Sequence, residues 1–129
     1  MDMRYMLLVK TPPSAWEGWE TLVDGFERTI EFMDKLNAEL AETGELIDVA
    51  GLADPTLART LRKQDDMVVI TDGPSVDGSD VIGGYWVVDC DNFDRASEIA
   101  ARVVGFDGVN SPDAIEVRPI MDANSGQEM

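Results

Sequence analysis

A four-residue turn, Asp72-Gly73-Pro74-Ser75, ends an apolar run at residues 67–71 and divides the second half of the chain. The Asp side chain can hydrogen-bond within its own turn, Gly permits positive φ, and Pro has no N–H to donate, so the triplet closes a strand. A second apolar run follows at residues 81–88 and contains Gly83-Gly84. Paired glycines inside a strand indicate a bulge or a close approach by backbone or ligand. This half of the chain is therefore predicted to be rich in β-strands.

Apolar periodicity extends the prediction to the whole chain. We expect six strands and two helices, the first helix beginning near Trp19 and ending at Gly44, the second N-capped by Asn92 or Asp94. The predicted strands span residues 4–10, 46–52, 57–63, 67–71, 81–88 and 115–120, and the apolar stripe of the second helix is Ala96, Ile99, Ala100 and Val103. This order predicts an α+β fold: a ferredoxin-like antiparallel sheet with two helices on one face and an extra β-hairpin. Residues 1–121 are expected to form one domain and residues 122–129 a flexible C-terminal tail.

The first strand is apolar on both faces, with Tyr5 and Leu7 on one and Met6 and Leu8 on the other. Strands of this kind are usually buried on both faces. Two helices can cover only one face of the sheet, so we expect a second copy of the chain to cover the other. The prediction is a homodimeric α/β barrel with a cavity at or near the interface.

Charge and composition exclude several classes of function. The chain has 26 acidic and 10 basic residues, a net charge of −16, which disfavours nucleic acid because phosphates need Lys and Arg to neutralise them. No histidine is present, so mechanisms that depend on histidine are excluded. Cys90 is the single cysteine and lies between Asp89 and Asp91, so we interpret it as a structural residue and predict a cytoplasmic protein. No apolar run is long enough to span a membrane.

Several ordered segments together resemble the YCII-related family and its DGPF branch. They are Arg4-Tyr5-Met6-Leu7-Leu8, Gly44-Glu45-Leu46, Gly51-Leu52, Asp72-Gly73-Pro74, Gly83-Gly84-Tyr85, the helix at 94–101, and Glu116-Val117-Arg118-Pro119. The resemblance implies a small, dimeric protein with a cavity and few established activities, among them lyase chemistry of the dehydrochlorination type.

The chain departs from the family pattern in the loop after the turn. Ser75 stands where the family has Phe, and Asp77-Gly78-Ser79-Asp80 replaces a stretch that usually carries a Glu and then a Lys-Glu pair. The His-Asp pair proposed for some YCII-like members is impossible here because the chain lacks histidine. The positive charge of this loop is lost, although its carboxylates persist.

Without histidine, acid–base chemistry falls to carboxylates, Tyr or Lys. We predict Asp72 and Arg118 as catalytic residues, the first moving a proton and the second holding an anionic substrate or enolate. The predicted substrate-binding residues are Trp16, Ser75, Asp77, Tyr85 and Trp86. Structural alternatives stay open: Asp72 could cap its turn, Arg118 could pair with a surface Glu, and Asp77 could simply be solvated. Tyr85 and Trp86 point to opposite faces of one strand, so only one can face away from the helices.

These residues predict a cofactor-free lyase, isomerase or cyclase that acts on a cyclic or aromatic metabolite through carboxylates. No zinc, iron or EF-hand spacing is present, and the glycines form no phosphate-binding fingerprint, so we expect neither metal nor cofactor. The alternatives are a ligand-binding module without catalysis and a structural dimerisation module. The partners we expect are a small molecule and a second copy of the chain.

Overall fold

The computed structural model describes residues 3–11, 23–75, 81–106 and 112–121. Within this part of the chain the elements follow the predicted order of strands and helices. Their bounds are β1 Met3–Thr11, α1 Val23–Thr43, β2 Leu46–Gly51, β3 Arg59–Gln64, β4 Met67–Asp72, β5 Val81–Cys90, α2 Phe93–Val104 and β6 Ala114–Pro119, with a short 3-10 helix at Pro55–Leu57. The predicted start of the first helix near Trp19 and the predicted tail lie outside the described residues.

Four of the strands form one antiparallel sheet in the order β2-β5-β1-β6. Among the described strands, β3 and β4 pair only with each other, and in the chain they come between β2 and β5. This is the ferredoxin-like α+β arrangement with an extra hairpin that the sequence predicts. The third strand begins two residues later than predicted, because residues 55–57 form the 3-10 helix instead.

The hydrophobic core lies between the helices and one face of the sheet. Tyr5 and Leu7 of β1 and Trp86 of β5 are almost fully buried there, against Leu36 and Leu40 of α1. The second helix buries the four residues of its predicted stripe: Ala96, Ile99, Ala100 and Val103. That prediction is confirmed, because positions three and four apart share one face of a helix.

The start of α2 is fixed by two polar contacts. The Asn92 side chain accepts a hydrogen bond from the Arg95 backbone N–H at 2.9 Å, so Asn92, not Asp94, is the N-cap. The Arg95 guanidinium donates two 2.8 Å hydrogen bonds to the Glu45 carboxylate, whose side chain is 15% exposed. This bond lowers the pKa of Glu45 below its ordinary value, outweighing the opposite effect of burial. The pair ties α2 to the turn between α1 and β2.

Cys90 ends β5 and is buried in the core. Burial is the main reason that its thiol pKa is raised, and the nearby Glu45 carboxylate adds to the effect. The interpretation of Cys90 as a structural residue agrees with this position, since a raised pKa leaves little thiolate. None of the described helices is long and apolar enough to span a membrane.

Gly84 explains the glycine pair in β5. A Cβ at this position would lie 2.8 Å from the Ala50 carbonyl oxygen on β2, closer than side chains tolerate. The neighbouring Gly83 is skipped in the pairing with β1, where Val9 faces Gly84 and Lys10 faces Ile82. The sequence predicted a bulge or a close approach, and the structure has both.

Candidate functional site

The sheet face away from the helices, here called the open face, has no cover among the described residues. Strand alternation and register place Met6, Leu8 and Lys10 of β1 on it, next to Tyr85 and Val87 of β5. The four residues other than Lys10 form its apolar centre, and each is only partly buried. Charged side chains surround them: Arg4, Asp48, Asp89, Glu116 and Arg118. The open face is thus an apolar centre with a charged rim.

The β3–β4 hairpin, residues 59–72 and here called the arm, is the most exposed element of the described chain. Its strands pack on each other and make no extended contact with the helices or the main sheet in the part the structure describes. The connecting turn consists of Asp65 and Asp66 at φ of 51° and 65°. Two successive positive φ values mark a two-residue turn of type I′, which the predicted hairpin connection did not specify.

A cavity of about 720 Å³, here called the groove, lies between the base of the arm, the 3-10 helix and one end of the main sheet. Its walls are mainly apolar and include residues from all three elements. The lining consists of Lys10, Leu52, Ala53, Asp54, Pro55, Leu57, Ala58, Arg59, Thr60, Leu61, Pro74, Ser75, Val81 and Ile82. Lys10 belongs also to the open face, and Ile82 is its register partner on β5, so the groove and the open face adjoin.

Two cations, Lys10 and Arg59, and one carboxylate, Asp54, line the groove. Each cation also has a carboxylate partner outside the lining. The Lys10 ammonium lies 3.2 Å from Glu116, and Arg59 Nε lies 3.7 Å from Asp72. Both pairs are well exposed to solvent, so their net contribution to stability is small. An anionic ligand can therefore exchange for Glu116 or Asp72 at low cost. The groove suits a molecule with an apolar body and an anionic group.

Two predicted site residues lie at the groove. Ser75 lines it directly, and its carbonyl oxygen accepts a 2.9 Å hydrogen bond from the Arg62 guanidinium. Asp72 does not line the groove itself. It contacts Arg59, which does, and its side chain is 89% exposed. The turn that follows is held by backbone and hydroxyl groups: Gly73, at φ +106°, donates to the Ala58 carbonyl and accepts from the Thr60 hydroxyl.

Tyr85 and Trp86 separate as strand alternation requires. Trp86 is buried under the helices, where its indole N–H donates a 2.7 Å hydrogen bond to Asn37 of α1. Tyr85 lies on the open face and donates a 3.0 Å hydrogen bond to the Asp48 carboxylate. That bond is the main cause of the raised pKa of Tyr85, because it favours the protonated phenol. Of the two aromatics, Tyr85 is the one turned away from the helices.

Arg118 lies on the open face at the outer strand β6, and its side chain is 69% exposed. Its Nε is 3.5 Å from Glu116, the carboxylate that also contacts Lys10. The structural alternative, a pair with a surface Glu, describes this contact. Glu116 nevertheless links Arg118 to the cation in the groove. Trp16 and Asp77 lie outside the described residues.

Sequence reasoning missed three residues of this region: Lys10, Arg59 and Asp48. Strand parity could have found Lys10, since it continues the Met6 and Leu8 series. Arg59 and Asp48 gave no local signal, because their partners lie elsewhere in the chain. Arg59 pairs with Asp72, and Asp48 pairs with Tyr85, 37 positions away. Among the described residues, no group of three or more Cys, Asp or Glu is arranged to hold a metal ion.

The model of the YCII-related domain matches residues 3–124 of the chain. The chain is also 28% identical over 118 residues to an uncharacterized protein of Rhizobium meliloti (strain 1021), and the match covers 92% of each chain. The family match spans nearly the whole sequence, so the chain belongs to the YCII-related family, as its ordered segments predicted.

Proposed function

We propose that this member of the YCII-related family is a cofactor-free acid–base enzyme, a lyase, isomerase or cyclase that binds an anionic cyclic or aromatic metabolite in the groove. One observation carries the proposal: the groove combines apolar walls with Lys10 and Arg59 in a chain of net charge −16. Such a chain repels anions on average. Lys10 and Arg59 outnumber Asp54, the one carboxylate of the described lining, and this excess of positive charge supports binding of an anion.

The proposed chemistry starts with exchange of partners at the groove. The substrate anion binds Lys10 and Arg59, and Asp72 loses its pairing with Arg59. The released Asp72 carboxylate removes a proton from the carbon beside the substrate anion. The cations, with Arg118 behind Glu116, stabilise the negative charge that develops. The electron pair of the broken C–H bond then forms a double bond, and either a leaving group departs as an anion or the proton returns elsewhere.

Ligand binding is the first test. Isothermal titration with benzoate and cyclohexanecarboxylate, followed by chlorinated and hydroxylated relatives, measures the dissociation constants. We expect Lys10→Met and Arg59→Met each to weaken binding about tenfold, the equivalent of ~1.4 kcal/mol. Lys63→Met is the matched control, because Lys63 is an exposed cation of the arm that does not line the groove. Equal affinity in all four proteins would overturn the proposed binding site.

Turnover is the second test, made on any ligand that binds. Asp72→Asn should keep binding but lower kcat at least a hundredfold, since it removes the base and leaves the cations. Arg118→Ala should lower kcat less, because its contact with the groove runs through Glu116. If both variants keep wild-type turnover, the mechanism is wrong. If the ligand is recovered unchanged after long incubation with wild-type protein, the chain is a binding module without catalysis.

We also propose that the protein is a homodimer in which a second copy covers the open face. The half-buried Met6, Leu8 and Val87 support this, because an uncovered sheet face is normally polar. The cytoplasm stays the predicted compartment, since a single reduced cysteine suits it.

A further inference from the structure

Asp54 is the one carboxylate among the described residues that line the groove, and the proposed chemistry gives it no role. It is the N-cap of the 3-10 helix at Pro55–Leu57. Its Oδ1 accepts two 2.9 Å hydrogen bonds, one from the Thr56 backbone N–H and one from the Thr56 hydroxyl. These bonds hold the Asp54 side chain in one orientation at the wall of the groove.

The second carboxylate oxygen of Asp54 is not used by the fold. Within the described chain Oδ2 accepts no hydrogen bond. The two cations of the lining pair with Glu116 and Asp72 instead. A carboxylate oxygen of this kind is a strong acceptor for a charged donor. Because the side chain is already held in place, a ligand that donates to Oδ2 loses little entropy in ordering it.

The charge around the groove favours a ligand that brings a positive group to Asp54. Two cations, Lys10 and Arg59, stand among three carboxylates, Asp54 in the lining and Glu116 and Asp72 beside the cations. A ligand with a carboxylate alone adds a further negative charge to this set, in a chain whose net charge is −16. A ligand that carries an ammonium group as well adds none.

The topology separates the two ends of the groove at which such groups would bind. Lys10 of β1 is paired with Ile82 of β5. On the β2 side of β5, the Leu52 N–H donates a 2.9 Å hydrogen bond to the Gly83 carbonyl. Lys10 and Leu52 are therefore two strand spacings apart, a backbone separation of ~10 Å. Asp54 follows Leu52 closely in the chain, so a ligand that reaches both Lys10 and Asp54 has its charged groups at opposite ends of its body.

We propose that the ligand of the groove is an amphoteric acid, whose carboxylate binds Lys10 and Arg59 and whose ammonium group donates to Asp54 Oδ2. The inference rests on the proposed function, since it takes the anion site at the two cations as given. Asp54 is then a specificity-determining residue, which selects an amino acid over the corresponding carboxylic acid. The apolar walls hold the cyclic or aromatic body that joins the two charged groups.

Isothermal titration at neutral pH with a matched pair of ligands tests this selection. Cyclohexanecarboxylate carries the anion alone, and its trans-4-aminomethyl derivative adds an ammonium group at the far end of the same ring. We expect the wild-type protein to bind the amino acid about tenfold more tightly, because a hydrogen bond between charged groups has an effect of that order. Equal affinities for the two acids would overturn the proposal.

Asp54→Asn isolates the charge of the carboxylate. Asn is as good an N-cap as Asp, so the variant keeps the bonds to Thr56 and the 3-10 helix. We expect its preference for the amino acid to fall below about threefold. Asp91→Asn is the matched control, because it removes one negative charge at an exposed position outside the groove. It should keep the wild-type preference, and an equal loss in both variants would mean that net charge, not Asp54, attracts the ammonium group.

The methyl ester of the same amino acid separates this inference from the proposed function. The ester keeps the ammonium group but lacks the anion, so we expect it to bind about tenfold more weakly than the amino acid. If the ester binds as tightly as the amino acid, both the amphoteric ligand and the proposed anion site are wrong. If neither acid binds at millimolar concentration, both are wrong as well.

One outcome contradicts this inference alone. If cyclohexanecarboxylate binds through Lys10 and Arg59 but the amino acid binds no more tightly, the anion site stands and Asp54 has no part in selection. The comparison of the three ligands needs only wild-type protein, so it decides between these outcomes even where a variant is poorly folded.

Discussion

The pair β1–β5 and the pair β3–β4 are both antiparallel and both rich in apolar residues, yet their burial is opposite. Alternate residues of β5 are buried along its length, whereas every residue of β4 is exposed. The difference follows from whether helices cover the strand. After β5, Asn92 caps a helix that packs back on the sheet, but β4 runs into Gly73 and Pro74. Strand pairing alone therefore does not bury a strand: β5 is buried because α1 and α2 cover one face of the main sheet, and no described helix covers the arm.

Removing Trp86 gives the largest contrast between the two pairs. Trp86→Ala should lower the free energy of unfolding by about 4 kcal/mol, because it leaves a cavity and an unpaired Asn37 amide. Met67→Ala in the arm should change it by less than about 0.5 kcal/mol. Urea denaturation followed by far-UV circular dichroism measures both. Similar losses for the two variants would mean that the arm is packed as firmly as the core.

Glu45→Gln tests how firmly α2, the helix that follows β5, is attached to the rest of the molecule. It removes the charged partner of Arg95 and should cost about 2.5 kcal/mol at pH 7. Because the folded pKa of Glu45 is lowered, its stabilisation is fully present above the ordinary value of 4.5 and is lost as pH falls through the folded pKa.

The pH dependence of this variant is its own control. Denaturation midpoints of wild type and Glu45→Gln, measured between pH 7 and pH 3, should converge at the acidic end. A difference that stays constant with pH would show that the carboxylate charge is not the source of the stabilisation.

Gly84→Ala tests the close packing of the main sheet against Ala50. The added methyl meets the Ala50 carbonyl oxygen at 2.8 Å, so β2 or β5 must shift, and we expect a loss of about 1.5 kcal/mol. Gly51→Ala is the control, since Gly51 is paired with Gly84 in the register and has open space around it. Thermal unfolding of the two variants decides: equal midpoints would contradict the described contact.

The smallest effect concerns the arm turn. Asp65 and Asp66 occupy positive φ, which glycine adopts without a Cβ penalty. Asp66→Gly should therefore stabilise the arm by about 0.5 kcal/mol. The control is Asp91→Gly, at an exposed position outside the arm, which should not stabilise it. Amide hydrogen exchange of residues 59–72 is the measurement, because slower exchange confined to the arm distinguishes local stabilisation from a global effect.

Local patterns carried most of the fold and little of the site. The α2 stripe, the Asn92 cap and the Gly84 contact each leave a mark within a few residues, and the predictions from them are confirmed. Alternation placed Tyr85 and Trp86 on opposite faces, but which face carries the helices depends on packing.

The contacts that define the site join distant parts of the chain and leave no local mark. Lys10 meets Glu116, and Glu45 meets Arg95 across 50 positions. Nor did the sequence predict that the arm is exposed, because its apolar run has the composition of a buried strand. The catalytic assignment of Asp72 and Arg118 stays a prediction.

The composition of β4 has a consequence for the solubility of the protein. Residues 67–71 form an uncharged run of high β-propensity without Pro, on a strand whose outer edge is unpaired among the described residues. Segments of this type stack into fibrils when two copies align. Asp66 and Asp72 bracket the run, and charges in these positions act as gatekeepers against such stacking. Asp72 therefore has a value for solubility that is independent of any catalytic role, and neutralising it exposes an aggregation-prone segment.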